Sequence, residues 1–288
     1  MHPYFDLLRY KHCIKNILIF FPLFFAGGLF DAEALLGSAI AFISFSLASS
    51  AMYVTNDILD AQFDRNHPAK KQRPIAAGLV KPGVAAFFAA FLAVFSVIIA
   101  ALLNLNVFAV VGAYIILNFL YSILLKNIPV LDILSVAIGF PLRLYAGAFA
   151  ADVALTNQFV IMTFLLAVLL TVGKRRDDTI LLEKQALVVR PSVKKYNTTM
   201  LNSMIIVIMA AVIASYIIYT ISPEILMRPY GNSVYLTTIF VVAGMMRYLQ
   251  IIFVEGGAAS PTELILRDRF MQITTALWAS AFAVLIYA

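Results

Sequence analysis

A chain of 288 residues that is 62% hydrophobic and only 12% charged is too apolar for a soluble domain, where about half the residues are apolar and about a quarter charged. Its mean hydropathy of +0.93 marks a polytopic membrane protein, and its one cysteine, Cys13, excludes an intrachain disulfide. The net charge of +6 would suit a nucleic-acid binder, but its placement is that of a topology signal.

Nine apolar segments follow in order, at about 14–30, 34–56, 84–103, 106–125, 132–150, 157–173, 199–221, 233–254 and 270–287. Each is near the ~20 residues that cross a hydrocarbon core. Backbone polar groups in lipid must bond within their own segment, so the spans are helices. The expected fold is all-α, a polytopic membrane bundle of nine transmembrane helices forming one domain over 1–288. Arg9, Lys11 and Lys15 stand before or at the start of the first span, and no A-x-A-like site follows that span, so no cleaved signal peptide is expected. Most of the 21 Lys and Arg residues lie in this segment and in the second, fourth, sixth and eighth loops. Arg228 alone lies on the other side, and Arg143 and Arg247 fall inside spans. The positive-inside rule then places the N-terminus and the charged loops in the cytoplasm, and the C-terminus outside the cell inner membrane. The two longest inner loops, about 57–83 and 174–198, follow the second and sixth spans. That four-helix spacing suggests an internal duplication.

The chemistry is concentrated at the cytoplasmic ends of the spans. Lys15 and Asn16 open the first span and are within reach of a site there. Asn56, Asp57, Asp60 and Asp64 end the second at i,i+3 and i,i+4 spacing, so the carboxylates share one helix face and repel each other. A helix C-terminus favours cations, so these acids call for a bound positive charge. Mg²⁺ prefers oxygen ligands and commonly bridges one or two carboxylates to phosphates. Asn56, Asp57, Asp60 and Asp64 are therefore the expected metal ligands, and the three aspartates the expected catalytic residues. Arg65, His67, Lys70, Lys71 and Arg73 come next, with Pro68 and Pro74 stiffening the loop and Pro74 keeping Arg73 out of α geometry. Lys70 and Arg73 are candidate phosphate ligands, Arg73 through its planar fork. An acidic face beside a basic loop suits a metal-chelated diphosphate.

Tyr121 and Lys126 end the fourth span on the same side and are further candidates for substrate contact. Arg143 lies in the middle of the fifth span, where a lone arginine costs about 2.5–3.5 kcal/mol on insertion scales. Asp132 is eleven residues away on the same helix, too far at about 1.5 Å per residue. Arg143 is therefore expected to meet a carboxylate or a substrate anion from elsewhere. After the sixth span comes Lys174-Arg175-Arg176-Asp177-Asp178. Lys174 and Arg175 could hold a phosphate, and Asp178 a second metal or a hydroxyl.

NDxxDxxxD at the end of a second membrane helix, Asn56 to Asp64 in a chain of nine spans, resembles the UbiA superfamily of intramembrane prenyltransferases. Ordinary members carry a second motif of DxxxD type after the sixth helix, where this chain has Lys174 to Asp178. The departure is similar to one branch, the decaprenyl-phosphate phosphoribosyltransferases. The matching segments are HPxKxxRPIAxG at His67–Gly78, GKRxxD at Gly173–Asp178, the Lys15-Asn16 pair, and SPTELILRDRF at Ser260–Phe270. The branch's leading RPxxWxKN segment stands here as Arg9–Asn16, without its Pro and Trp. The resemblance implies Mg²⁺-dependent transfer of 5-phosphoribosyl from 5-phosphoribosyl 1-diphosphate (PRPP) to a polyprenyl phosphate of decaprenyl type. Diphosphate would leave, and the product would serve cell-wall biosynthesis. PRPP, polyprenyl phosphate and membrane lipid are then the partners, no nucleic acid is needed, and a homo-oligomer is left open. One competing reading is an ordinary UbiA prenyltransferase moving a prenyl group from its diphosphate to an aromatic acceptor. A transporter is the other, but ion paths place ionisable residues near mid-bilayer in several helices, and only Arg143 lies that deep.

Overall fold

The computed structural model describes residues 6–65, 70–183, 192–256, 264 and 267–288. Among them every regular element is helical. A 3₁₀ helix over Tyr10–Phe20 passes into a short α1 (Phe21–Phe25). There follow α2 (Ala32–Arg65), α3 (Pro82–Leu103), α4 (Leu105–Ile123), α5 (Leu131–Ala151), α6 (Asn157–Glu183), α7 (Thr198–Thr220), α8 (Pro223–Leu226), α9 (Thr238–Phe253) and α10 (Arg269–Tyr287). Among the described residues eight helical stretches are long and apolar enough to cross a membrane, and Cys13–Phe25 is a shorter apolar one. The protein is thus an integral, multi-pass membrane protein. The first span differs from the expected α-helix: Pro22, which has no N–H to give, stands where the 3₁₀ turn becomes α.

Two boundaries also move. The apolar runs stop near residues 56 and 173, but α2 continues to Arg65 and α6 to Glu183. Leaving the hydrocarbon ends the need for apolar side chains, not the helical hydrogen bonds. Asn56–Asp64 thus lie on helix, as their spacing implies, and Lys174–Asp178, expected to open the loop after the sixth span, lie on helix as well.

The described residues form two compact units. The first comprises residues 1–155 with 186–192, and the second 156–185 with 193–288. In the first unit α2 is the central element, packed on α3, α4, α5 and the opening 3₁₀ helix. Its buried face is made of small residues, Ala41, Ser44, Ala48 and Ala51 among them, around Phe45. Small residues let membrane helices approach closely. Ser44 and Ser96 use that closeness, each hydroxyl donating to the other's carbonyl at 2.8 and 2.7 Å and joining α2 to α3. Gly147 of α5 allows a second close approach, because a Cβ there would collide with the carbonyl of Ile19. That contact sets the opening helix against α5. Below α2, Ile75 and Val80 are buried with Val54, Ala61, Ala85 and Ala89. They anchor the segment after Arg73, while Gly78 turns the chain at φ 76°, a value that glycine adopts without strain.

In the second unit α6 packs along α7, and α9 along α10. Asn197 and Asp268 cap α7 and α10, accepting the N–H of Met200 at 2.7 Å and of Met271 at 2.9 Å. Inside this unit the Trp278 Nε1–H donates to the Tyr216 hydroxyl at 2.8 Å, which in turn meets Thr237 Oγ1 at 2.5 Å.

Candidate active site

The aspartates of α2 lie on its buried face. Asp57, Asp60 and Asp64 are 3%, 8% and 4% exposed, so each needs a partner. All three have one, and each cation comes from another part of the first unit. Arg9 pairs with Asp57. One nitrogen of Arg73 bridges Asp57 Oδ1 at 2.9 Å and Asp64 Oδ2 at 2.6 Å. Lys126 Nζ meets Asp60 Oδ1 at 2.6 Å, and Asn56 Nδ2 donates to Asp60 Oδ2 at 3.0 Å. The sequence places the acids on one face, and the structure adds the cations that converge on it.

Local structure aims these cations. Arg9 adopts a left-handed backbone, φ 46°, a conformation that costs a non-glycine residue about 1–2 kcal/mol. Ser50 Oγ holds the segment by donating to the Leu8 carbonyl at 2.9 Å, and the Arg9 guanidinium lies over the Tyr53 ring at 5.3 Å. Arg73 follows the 3₁₀ turn Lys70–Gln72, where its N–H donates to the Lys70 carbonyl at 2.9 Å. Lys70 itself is half-buried. Lys126 sits in the 3₁₀ turn Leu125–Asn127 after α4. The Ser192 hydroxyl donates to its carbonyl at 2.8 Å and to the buried Asp132 carboxylate at 3.2 Å.

A second centre lies deeper along the same helix face. Arg143 is 4% exposed. Its Nε donates to Asn16 Oδ1 at 2.8 Å, one terminal nitrogen to the Gly139 carbonyl at 2.5 Å, and the other to the Tyr114 hydroxyl at 3.3 Å. The rings of Phe45, Tyr114 and Phe140 stand 4.9, 5.0 and 5.7 Å from its guanidinium carbon. The Asn16 amide donates to Ser46 and Ser49 Oγ at 2.9 and 3.3 Å. Of the two partners expected for Arg143, a carboxylate or a substrate anion, no carboxylate meets it among the described residues; its partners are neutral groups and aromatic faces. Tyr121 and Lys15 are half-buried. Tyr121 is in electrostatic reach of Tyr53, and Lys15 of Arg143.

In the second unit, Lys174 is exposed on α6 while Arg175 and Arg176 are buried. Arg175 pairs with Asp178 at 3.0 Å within its own helix. Arg176 Nε donates to Asn202 Oδ1 at 2.7 Å, tying α6 to α7. Arg247 joins Glu255 at 2.6 Å and Asp268 at 2.7 Å. Those bonds and the cap on Met271 hold the Asp268 carboxyl below its ordinary pKa. His67 and residues 260–263, 265 and 266 lie outside the described residues.

The donor set can be tested against a divalent cation. Among the described residues no three carboxylate, imidazole or thiol side chains converge as a metal cage, because the aspartates are turned onto Arg9, Arg73 and Lys126. Beside them, however, Asn56 Oδ1 is buried and has no hydrogen-bond partner. A hard oxygen left unpaired next to three carboxylates fits Mg²⁺, which takes few protein ligands and completes its shell with water and substrate phosphates.

Residues 17–190 match the UbiA prenyltransferase family. The chain belongs to that family. Among UbiA-type relatives, the decaprenyl-phosphate phosphoribosyltransferase of Corynebacterium glutamicum is 30% identical, over 97% of this chain and 85% of its own. The enzyme of the same name from Mycolicibacterium smegmatis is 32% identical, over 97% and 91%. In fold, a UbiA homologue from Archaeoglobus fulgidus, solved bound to GPP and Mg²⁺, matches with a TM-score of 0.76 at 19% identity, covering 99% of this chain and 100% of that one. The UbiA resemblance read from Asn56–Asp64 and the charged segments is thereby borne out. The sequence pattern assigns no function to Arg9 or Arg176. For Arg9 the signal was its place at the head of the altered RPxxWxKN segment; for Arg176 it was only its position within the charge cluster.

Proposed function

We propose that this UbiA-family protein transfers the 5-phosphoribosyl group of PRPP to a polyprenyl phosphate and releases diphosphate. The observation that carries the reading is the buried acid face of α2 with its converging cations, in a chain whose full-length relatives bear the name decaprenyl-phosphate phosphoribosyltransferase. The donor's diphosphate offers oxygens to the same groups that now hold Asp57, Asp60 and Asp64. Arg73 and Lys126 pass to the phosphate oxygens, with Lys70 adding charge from the neighbouring turn. Asn56, Asp57, Asp60 and Asp64, released from those partners, would hold Mg²⁺, which supplies charge neutralisation for a bound diphosphate. As the C1–O bond breaks, its electron pair leaves with the diphosphate and positive charge grows on the ribose ring. Cations already in place stabilise that leaving group. An oxygen of the lipid phosphate then forms the new bond to C1 from the opposite face. No general base is needed, because a phosphate monoester with a second pKa of about 6 is mostly dianionic at pH 7.

Lys15, Asn16, Tyr121 and Arg143 are proposed as substrate-binding residues of the first unit, and Lys174, Arg175 and Asp178 as substrate-binding residues of the second. The charged helix ends are proposed to face the cytoplasm of a cell with the protein in its inner membrane. Transfer of radiolabel from PRPP to polyprenyl phosphate by the purified protein, with and without Mg²⁺, tests the reading. Mg²⁺-dependent label in the lipid fraction is the expected result. The second reading, transfer of a prenyl group from its diphosphate to an aromatic acceptor, is favoured by the fold match to a homologue solved with GPP. Turnover with prenyl diphosphate and none with PRPP would establish it in place of the first.

A further inference from the structure

We infer that Arg143, Asn16 and Lys15 form a second phosphate site, separate from the acid cluster and built for a phosphomonoester. The inference rests on the transfer reading for its substrates, but its geometry stands apart from the metal and the diphosphate. Arg143 carries five N–H groups, and among the described residues it makes three hydrogen bonds, all to neutral acceptors. No carboxylate among the described residues pairs with Arg143 or with Lys15, so two neighbouring cations sit in an apolar bundle without a counter-charge. Three rings pack around the guanidinium, and Arg143 is buried. Asn16 is fully buried, and its amide is committed to Ser46 and Ser49, so its oxygen can serve only as the bracket that aims Arg143. A purely structural arginine would use its donors on the protein and would not need Lys15 beside it.

Helix α2 shows where this site lies relative to the first. Read inward from its charged end, one face carries Asp64, Asp60, Asp57, Tyr53, Ser49 and Phe45, at helical spacing. Asp57 meets Arg9, Tyr53 lies under Arg9, Ser49 holds Asn16, and Phe45 touches Arg143. The acids mark the mouth and the uncompensated cations lie about three turns further in, on the order of 15 Å at 1.5 Å per residue. An anion drawn past the mouth would come to rest on Lys15, the half-buried member, and on the two remaining donors of Arg143. Two phosphomonoesters have the required chemistry, the headgroup of the polyprenyl phosphate and the 5-phosphate on the donor's ribose.

Thermal unfolding of the full-length protein in detergent, with farnesyl phosphate, farnesol or ribose 5-phosphate added, tests the assignment without requiring turnover. Wild type and Asp60→Ala should each gain a few degrees from a phosphomonoester and nothing comparable from farnesol. Lys15→Met, which removes an ammonium from a half-buried position, should lose that gain, and Arg143→Lys should reduce it. A shift with farnesyl phosphate assigns the site to the lipid, and one with ribose 5-phosphate assigns it to the donor. In turnover, Lys15→Met should raise the KM of the matching substrate about tenfold, the loss expected for one charge-assisted contact, and leave the other KM alone. An unchanged shift in Lys15→Met, a shift abolished by Asp60→Ala, or no shift with either phosphate would overturn the site. If the shift is present but PRPP is not a substrate, the anion site stands and the transfer reading falls.

Discussion

The charged ends of α2 and α6 carry similar residues in opposite order of burial. On α2 the acids are buried, and the cations reach them from Arg9, 48 residues before Asp57, and Lys126, 66 residues after Asp60. On α6 the cations Arg175 and Arg176 are buried, while Asp178, with a side chain 34% exposed, pairs with Arg175 three residues away. The first arrangement exists only when distant parts of its unit are assembled, and removing either partner strands a buried charge. The second closes its ion pair within one helix and leaves the carboxylate partly exposed. Distant, buried and mutually dependent charges are costly to keep without use, and the proposed transfer gives those of α2 a use.

Asp60 is where the largest effect is expected. Asp60→Ala leaves the Lys126 ammonium buried without its carboxylate, a change of about 3–5 kcal/mol for a broken buried pair, and it should abolish transfer. Adding Lys126→Met should restore most of the stability and none of the activity. Thermal melts of the three variants beside the transfer assay measure both, and an Asp60→Ala protein as stable as wild type would erase the contrast with α6. Arg73→Lys comes next. A point-charge ammonium cannot reproduce the guanidinium fork on phosphate, so the KM for PRPP should rise about tenfold with the acceptor KM unchanged. Equal effects on both substrates would remove Arg73 from the donor site.

Asp178→Asn sharpens the other side of the comparison. Asp178 is 34% exposed although its partner Arg175 is buried, and asparagine keeps an oxygen to accept from it, so stability should fall by about 1 kcal/mol, well short of the loss at Asp60. A large loss of stability would show that α6 depends on its ion pair as α2 does. The smallest effect is expected at Asp268, whose pKa is depressed by Arg247 and by the cap on Met271. Stability from a depressed carboxyl is present above its unfolded pKa, about 3.9, and is lost as pH falls through the lower folded value. Asp268→Asn should therefore lower the melting temperature slightly at neutral pH and flatten its decline below pH 4. Because the pair is partly exposed, high salt should blunt the difference in part. An unaltered acid limb in the variant would disconnect Asp268 from acid stability.

Much of this was legible in the chain. Hydropathy alone locates the spans, and the spacing of Asn56, Asp57, Asp60 and Asp64 places them on one helix face, because both are local properties. The partners of those acids were not legible. Nothing in the neighbourhood of Arg9 or Lys126 says that they meet Asp57 and Asp60, since ion pairs across 48 and 66 residues depend on packing such as that of Gly147 on Ile19. Arg73 illustrates the same gap: its sequence position suggests phosphate, whereas the structure shows it neutralising two carboxylates. For Arg143 the rise per residue correctly removes Asp132 as a partner. What the sequence could not show is that Asn16, Tyr114 and three rings would surround a cation without neutralising it.

Asn104 has a practical consequence for mapping which way the chain faces. It is the one residue between α3 and α4, its Oδ1 accepts the Val107 N–H at 2.8 Å, and its amide donates to the Phe149 carbonyl at 2.9 Å. An epitope tag inserted there would undo a turn, a cap and a tie to α5 at once, and its readout would describe a damaged protein. Ala154, exposed on a stretch free of helix, is the better place for a reporter or a labelling cysteine, and external accessibility there would fix the orientation of the bundle.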